Sequence, residues 1–439
     1  MEVEPGVLTR TERAGFDRFG RRSVETAVAF TLSAGANSLY LLVVARLLGP
    51  SGTGVVSVAI LLASGLAFIV SGALALANVY FGAREPETRG QLLSNSLLFS
   101  AIAGVLASIV VFGILVVSGV QFGADAYELA AALAAAPLIG GSRLVQSLVI
   151  ASGRTRAYNL LTATGPLATL IFGILALAAL GSSVSVALGA YAVSQLLVFA
   201  ISVLGAGIAP EHPSRALLRR SLGYGLRGFV GNFIQIFNYR LDLFLVSALR
   251  GASAAGVYSI SVFLAEMLWK IAAAASTILF PRVAADRQPA PEFTLRVGRV
   301  VVLLTALAAI ATIPLTWLVV LPLLPSGFSG ALAPLALLLP GVVALALAQV
   351  LAADLSGRGK PGYGSYASAI GLGVTLTLTP ALVAAYGATG GALASTASYA
   401  ASGAFLGWIF VRTFRVPLSD LVVPRRYDLR RAPVRDAAA

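Results

Sequence analysis

The 439-residue chain has no cysteine, one histidine (His212), two methionines and three tryptophans. Only 11% of its residues are charged. The missing thiols exclude disulfide scaffolds, thiolate nucleophiles and cysteine metal sites. A single histidine removes the usual zinc ligand sets and Ser-His triads. Acidic residues are scarce as well, 18 against 31 basic, so the net charge is +13. A soluble domain carries about 25% charged residues. At 11%, with 58% hydrophobic residues and a mean hydropathy of +0.89, the chain holds more apolar surface than one water-soluble globule can hide. Disorder and collagen-like structure are excluded by the same numbers. What is plentiful is glycine (45) and proline (20), set within long apolar runs. That mixture is usual in membrane-spanning helices. The composition therefore indicates an all-α polytopic membrane protein.

A span needs about 20 mostly apolar residues. Twelve candidate spans fit, at 23–48, 52–81, 91–119, 126–151, 158–180, 184–208, 221–249, 253–281, 297–322, 330–354, 362–385 and 388–412. Pro166, Pro314, Pro340 and Pro380 fall inside spans, where neighbouring helices can satisfy the freed carbonyls. Residues 1–22 are polar, with Arg10, Arg13, Arg18, Arg21 and Arg22, and no short apolar stretch with a small-residue cleavage site follows them. The N-terminus is expected to be uncleaved and cytoplasmic. With that orientation, 25 of the 31 basic residues fall in inner segments, including Arg84, Arg89, Arg154, Arg156, Arg215, Arg219, Arg220, Arg358, Lys360 and a basic tail over 415–439. This positive-inside bias predicts twelve spans with both termini cytoplasmic, in an inner (cytoplasmic) membrane. The net positive charge then reflects topology and anionic lipid, and nucleic acid is not an expected partner.

The two halves repeat. Residues 49–68, GPSGTGVVSVAILLASGLAF, align with residues 251–270, GASAAGVYSISVFLAEMLWK, at an offset of 202 with eight of twenty positions identical. SGRTR at 152–156 aligns with SGRGK at 356–360 at an offset of 204. Six spans separate equivalent elements, so the halves share one orientation. That predicts a six-helix lobe over 23–209 and another over 210–414, related by a pseudo-two-fold along the membrane normal, with a central cavity between them.

Ionisable groups inside a span face a cavity or a partner. On span 7, Arg227, Gln235, Asn238 and Asp242 are spaced 8, 3 and 4 apart and share one face, with Arg240 projecting from another side. On span 8, Ser259, Glu266, Lys270 and Thr277 share a face, and Glu266 stands one turn before Lys270, the favourable order for an i,i+4 ion pair. Their counterparts in span 2 are Ser64 and Phe68. Either Glu266–Lys270 is a buried packing pair, or one member is released when a substrate anion or a proton arrives. Asp242 and Arg240 carry a similar reading as a local pair. Further candidates are Glu25 and Asn37 in span 1, Arg46 at its outer end, and Arg143 with Gln146 in span 4. Arg46 can snorkel to the interface. Arg143 lies too deep for that and calls for a cavity or a carboxylate. His212 reads as a solvated loop residue.

No GxxxxGK[ST] loop occurs, so the chain carries no ATP motor, and no cluster has metal spacing. No cofactor, metal or catalytic residue is expected, and enzyme activity is not the expected function.

VVARLLGPSGTGVVSVA at the end of span 1, and NYRLDLFLVSALRGASAAGVYSISVFLAEMLWKIAAAASTILFPRVA across spans 7 and 8, resemble prokaryotic polysaccharide (lipid-linked oligosaccharide) flippases. That family belongs to the multidrug/oligosaccharidyl-lipid/polysaccharide exporter superfamily. The resemblance implies a two-lobed, twelve-helix flippase that moves a polyprenyl-pyrophosphate-linked oligosaccharide from the inner to the outer leaflet by alternating access. It implies a cationic cavity for the headgroup and a side portal for the lipid tail. The matching polar stripe is led by Arg227, Arg240, Asp242, Glu266 and Lys270. Membrane lipids, a coupling ion or proton, and a functional monomer belong to the same expectation. A cation-coupled multidrug or small-molecule exporter of the same fold, using Asp242 and Glu266, is the alternative. A major-facilitator carrier fits less well, because the repeated SGR motifs fall between spans 4 and 5 and between 10 and 11.

Overall fold

The computed structural model describes residues 10–120, 122–285, 290–423 and 425, and every regular element among them is helical. A helical run Arg10–Arg84 breaks at Gly49 into α1 (10–48) and α2 (50–84). A second run, Arg215–Ala285, breaks at Gly251 into α7 (215–250) and α8 (252–285). Gly49 (φ 68°, ψ −174°) and Gly251 (φ 83°, ψ 173°) occupy a backbone region open essentially to glycine alone. They stand 202 residues apart, so the repeat read in the sequence marks two equivalent reversals.

The other long helices are α3 (Pro86–Ser118), α4 (Ala126–Ala151), α5 (Thr155–Leu180), α6 (Val184–Gly205), α9 (Pro291–Leu323), α10 (Ser326–Gly357), α11 (Gly362–Tyr386) and α12 (Ala388–Phe414). A short α13 (Ser419–Val422) follows. Twelve long helices therefore stand where twelve spans were predicted. Eleven of them fall in the nine helical segments of the described residues that are long and apolar enough to cross a membrane, two of those segments being helix pairs. The twelfth, α12, is diluted by Gly, Ser and Thr. Its buried face includes Gly390, Ala392, Ser395, Ser398, Ser402 and Gly403, small residues that let helices approach closely. Both stretches read as tails carry helix. Helix α1 already begins at Arg10, within the stretch read as a polar tail. The basic tail over 415–439 carries α13, whose Leu421 is buried beside Leu295, Leu406 and Phe410.

The halves meet through their repeated residues. A Cβ on Gly54 would run into the carbonyl oxygen of Ala252, and one on Gly256 would run into that of Pro50. Gly54 and Gly256, like Pro50 and Ala252, are 202 apart, so the contact is reciprocal and the pseudo-two-fold passes through it. Backbone contact this close needs glycine on both sides.

Proline inside the helices is compensated from neighbouring helices. Pro137 cannot donate to Leu133, and the Ser108 hydroxyl donates to that carbonyl instead at 2.9 Å. Across the α10–α12 contact, the Thr396 hydroxyl donates to Leu337 O at 2.5 Å. At the end opposite the Gly54–Gly256 crossing, the connections are rich in arginine, and several of these cap helix C-termini. Arg89 donates to Gly82 O (2.6 Å) and Ala151 O (3.3 Å), and Arg154 donates to Ala206 O. At this basic end α2 and α7 close on each other. Arg220 forms a two-bond pair with Glu85 (2.6 and 3.0 Å) and lies over the Phe81 ring, and Tyr80 stacks on Tyr224 at 4.3 Å.

Candidate functional site

Between the lobes lies a cavity of about 540 Å³. Helices α1, α2, α4, α5 and α6 wall one side and α7 and α8 the other. Its cations are Arg143 and Arg240, and Glu266 is its one acidic residue among the described lining.

Arg240 and Glu266 face each other from α7 and α8. Arg240 Nη1 donates to Glu266 Oε1, and Nη2 donates to Oε2 at 3.3 Å. This corrects the expected Glu266–Lys270 pair. The guanidinium fork matches a carboxylate with two parallel bonds, which a lysine ammonium cannot supply. The α7–α8 packing brings that fork to Glu266, while Lys270 lies exposed and makes no ion pair among the described residues.

The expected Arg240–Asp242 pairing is also corrected. Two residues apart on a helix, these side chains leave from nearly opposite sides. Asp242 points into its own lobe and is 2% exposed. It accepts from Tyr258 Oη (2.6 Å), Ser395 Oγ (2.8 Å) and Leu243 N (2.7 Å). Asn238, on the same face, accepts from Thr375 Oγ1 at 2.7 Å and Ser398 Oγ at 3.2 Å. The span-7 stripe thus faces α8, α11 and α12 at these two positions and not the cavity. Arg227 and Gln235 belong to α7, and their side chains lie outside the described residues.

Arg143 lines the opposite wall, from α4. No carboxylate lies within ion-pair distance of it among the described residues. It reaches the Ser64 carbonyl at 3.5 Å and stands 5.9 Å from the Phe68 ring centroid. Ser64 and Phe68 are the repeat counterparts of Glu266 and Lys270. Where the second lobe places an acid, the first places a serine.

Around Arg143 the cavity presents neutral polar groups. Asn37 lines it from α1. Tyr40, one turn on, is 5% exposed, and its hydroxyl has no hydrogen-bond partner among the described residues. Tyr191 and Gln195 line it from α6, and Gln195 Nε2 donates to Thr169 Oγ1 at 3.1 Å. The sequence reading missed Tyr40, Tyr191, Thr169 and Gln195. The i,i+4 spacing of Tyr191 and Gln195 within an apolar span was the signal available. Gln146 turns away to Leu161 O and Ser202 Oγ, both at 3.3 Å.

Two candidates lie away from the cavity. Glu25 accepts two bonds from the exposed Arg156 of α5 (2.8 and 3.0 Å). Arg46 donates to Leu323 O at 2.6 Å near the Gly49 reversal.

A cavity between two repeated six-helix lobes, with an arginine at its wall that meets no carboxylate among the described residues, defines a two-lobed helical membrane-protein fold. Similar folds include the lipid II flippase MurJ in an inward closed conformation (TM-score 0.76, 13% identity, 91% of this chain and 89% of that one). An inward-facing multidrug resistance MATE transporter of the MOP superfamily scores 0.67 at 14% identity, covering 90% and 98%. A MOP superfamily transporter from Pyrococcus furiosus, described by the reverse polarity of its binding pocket, scores 0.55 at 15%, covering 91% and 94%. These likenesses fix the fold. No curated protein matches the sequence. A family model described as polysaccharide biosynthesis protein matches residues 43–332, and the chain belongs to that family.

Proposed function

We propose that this protein is a flippase, and not an enzyme, that carries a polyprenyl-pyrophosphate-linked oligosaccharide from the inner to the outer leaflet for cell-surface polysaccharide assembly. The observation that carries this reading is the unneutralised Arg143 in an interlobe cavity of a chain from the polysaccharide biosynthesis family. A guanidinium in a low-dielectric cavity attracts phosphate strongly. The neutral donors around it suit phosphate and sugar oxygens. In this reading the lobes are 23–209 and 210–414. The basic end faces the cytoplasm of an inner membrane, and a single chain is the working unit. Transport proceeds by opening the cavity to each side in turn, driven by a coupling ion or proton, or by consumption of the product.

The exporter reading is supported by the likeness to MATE transporters. Against it, Glu266 is held by Arg240, and Arg143 repels cations. The test is a proteoliposome assay with a fluorescent pyrophosphate-linked lipid oligosaccharide, beside an efflux assay with cationic dyes. Movement of the lipid between leaflets without dye efflux is expected. Dye efflux without lipid movement would transfer the protein to the exporter class.

A further inference from the structure

Glu266 is the one carboxylate among the described residues that line the cavity, and Arg240 engages both its oxygens. Arg240 is neutralised by that contact, while Arg143 across the cavity is not. Lys270 stands one turn further along α8, exposed and without an ion pair among the described residues. The i,i+4 spacing places its ammonium within reach of the Glu266 carboxylate. Glu266 therefore has two cations in reach and uses one.

We infer that Glu266 is the specificity-determining residue of the cavity. It withholds Arg240 from headgroups with one phosphate and yields it, by swinging to Lys270, to headgroups with two. The inference rests on the flippase reading above. A single phosphate is satisfied by Arg143 with the free Tyr40 hydroxyl and neighbouring amides. Breaking the Arg240–Glu266 pair for it would exchange a two-bond contact for the single-point lysine contact, with no further ligand charge for Arg240 to pair. A second phosphate brings a second charge that must be paired. The Arg240 fork then exchanges a carboxylate for a phosphate of similar hydrogen-bonding geometry. Glu266, once freed, finds Lys270. In the resulting state each phosphate faces an arginine, and the carboxylate faces a lysine. The first lobe has Ser64 and Phe68 at the equivalent positions, so this partner exchange belongs to the second lobe alone.

The test uses the purified full-length protein and two probes, a polyprenyl monophosphate and a polyprenyl pyrophosphate of equal chain length. The wild type is expected to bind the pyrophosphate at least about tenfold more tightly. Glu266→Gln is expected to raise monophosphate affinity about tenfold and so collapse the preference. Lys270→Ala is expected to weaken pyrophosphate binding about tenfold and leave monophosphate binding alone. Thermal unfolding verifies that each variant is folded. Should Glu266→Gln fail to fold, the variant at the exposed Lys270 still carries the test. A preference unchanged in both variants, or equal loss of both lipids, overturns the inference. Equal wild-type affinity for the two lipids also overturns it but leaves the flippase reading standing. Binding of neither lipid by the wild type removes both.

Discussion

The two lobes share a backbone plan and differ in what they place at the cavity. In the second lobe, Arg240 and Glu266 neutralise each other across α7 and α8. In the first, α2 has Ser64 and Phe68 where α8 has Glu266 and Lys270, and the cation Arg143 comes from α4 instead. The counterpart of Arg240 at the offset of 202 is Ser38, whose hydroxyl donates to Ala34 O within α1. Duplication thus preserved what holds the lobes together, the glycine reversals and the Gly54–Gly256 crossing. It left the polar positions free to diverge. Charge asymmetry between symmetric lobes leaves the positive charge without a facing carboxylate, among the described residues, at the first-lobe wall.

The comparison can be broken at several points. The largest effect is expected at the shared crossing. Gly54→Leu and Gly256→Leu each drive a side chain into a backbone carbonyl, and each should cost about 3 kcal/mol or more. Because the contact is reciprocal, the two variants should lose similar amounts of folded protein by size-exclusion profile and thermal unfolding. A large difference between them would deny the symmetry. Next, Arg240→Ala strips Glu266 of its two-bond partner, leaving only Lys270 in reach, and should cost up to about 3 kcal/mol. Arg240→Met combined with Glu266→Leu should recover most of that loss in the same unfolding assay. Asp242→Ala removes the acceptor of Tyr258 and Ser395 and should cost about 1–3 kcal/mol, without changing the cavity lining. The smallest effect is expected at Glu25→Gln, since its partner Arg156 is exposed and such surface pairs contribute little. No measurable change in melting temperature is expected there.

Architecture was largely legible in the sequence, and the site only in part. Spans are readable because a bilayer demands a length of apolar residues that nothing else in the chain imitates. The paired reversals are readable because the repeat keeps glycine where the backbone permits little else. The α7 stripe shows the limit. Periodicity correctly groups Asn238 with Asp242 on one face, but it does not say which neighbour that face meets, and here it meets α11, α12 and Tyr258. The Glu266–Lys270 spacing obeyed a rule for isolated helices, and a facing arginine overrode it. Tyr40, Tyr191 and Gln195 escaped notice because neutral polar residues are ordinary in spans. Only the tertiary arrangement collects them around Arg143.

The central claim is that Arg143, the cavity arginine without a carboxylate partner among the described residues, captures the anionic headgroup. It is tested most directly by reconstituting wild type and Arg143→Ala in liposomes and following leaflet transfer of a fluorescent pyrophosphate-linked lipid oligosaccharide. The account predicts transfer by the wild type. It predicts a fall of at least about tenfold in the variant, with an unchanged melting temperature. Equal transfer by the two proteins would contradict it.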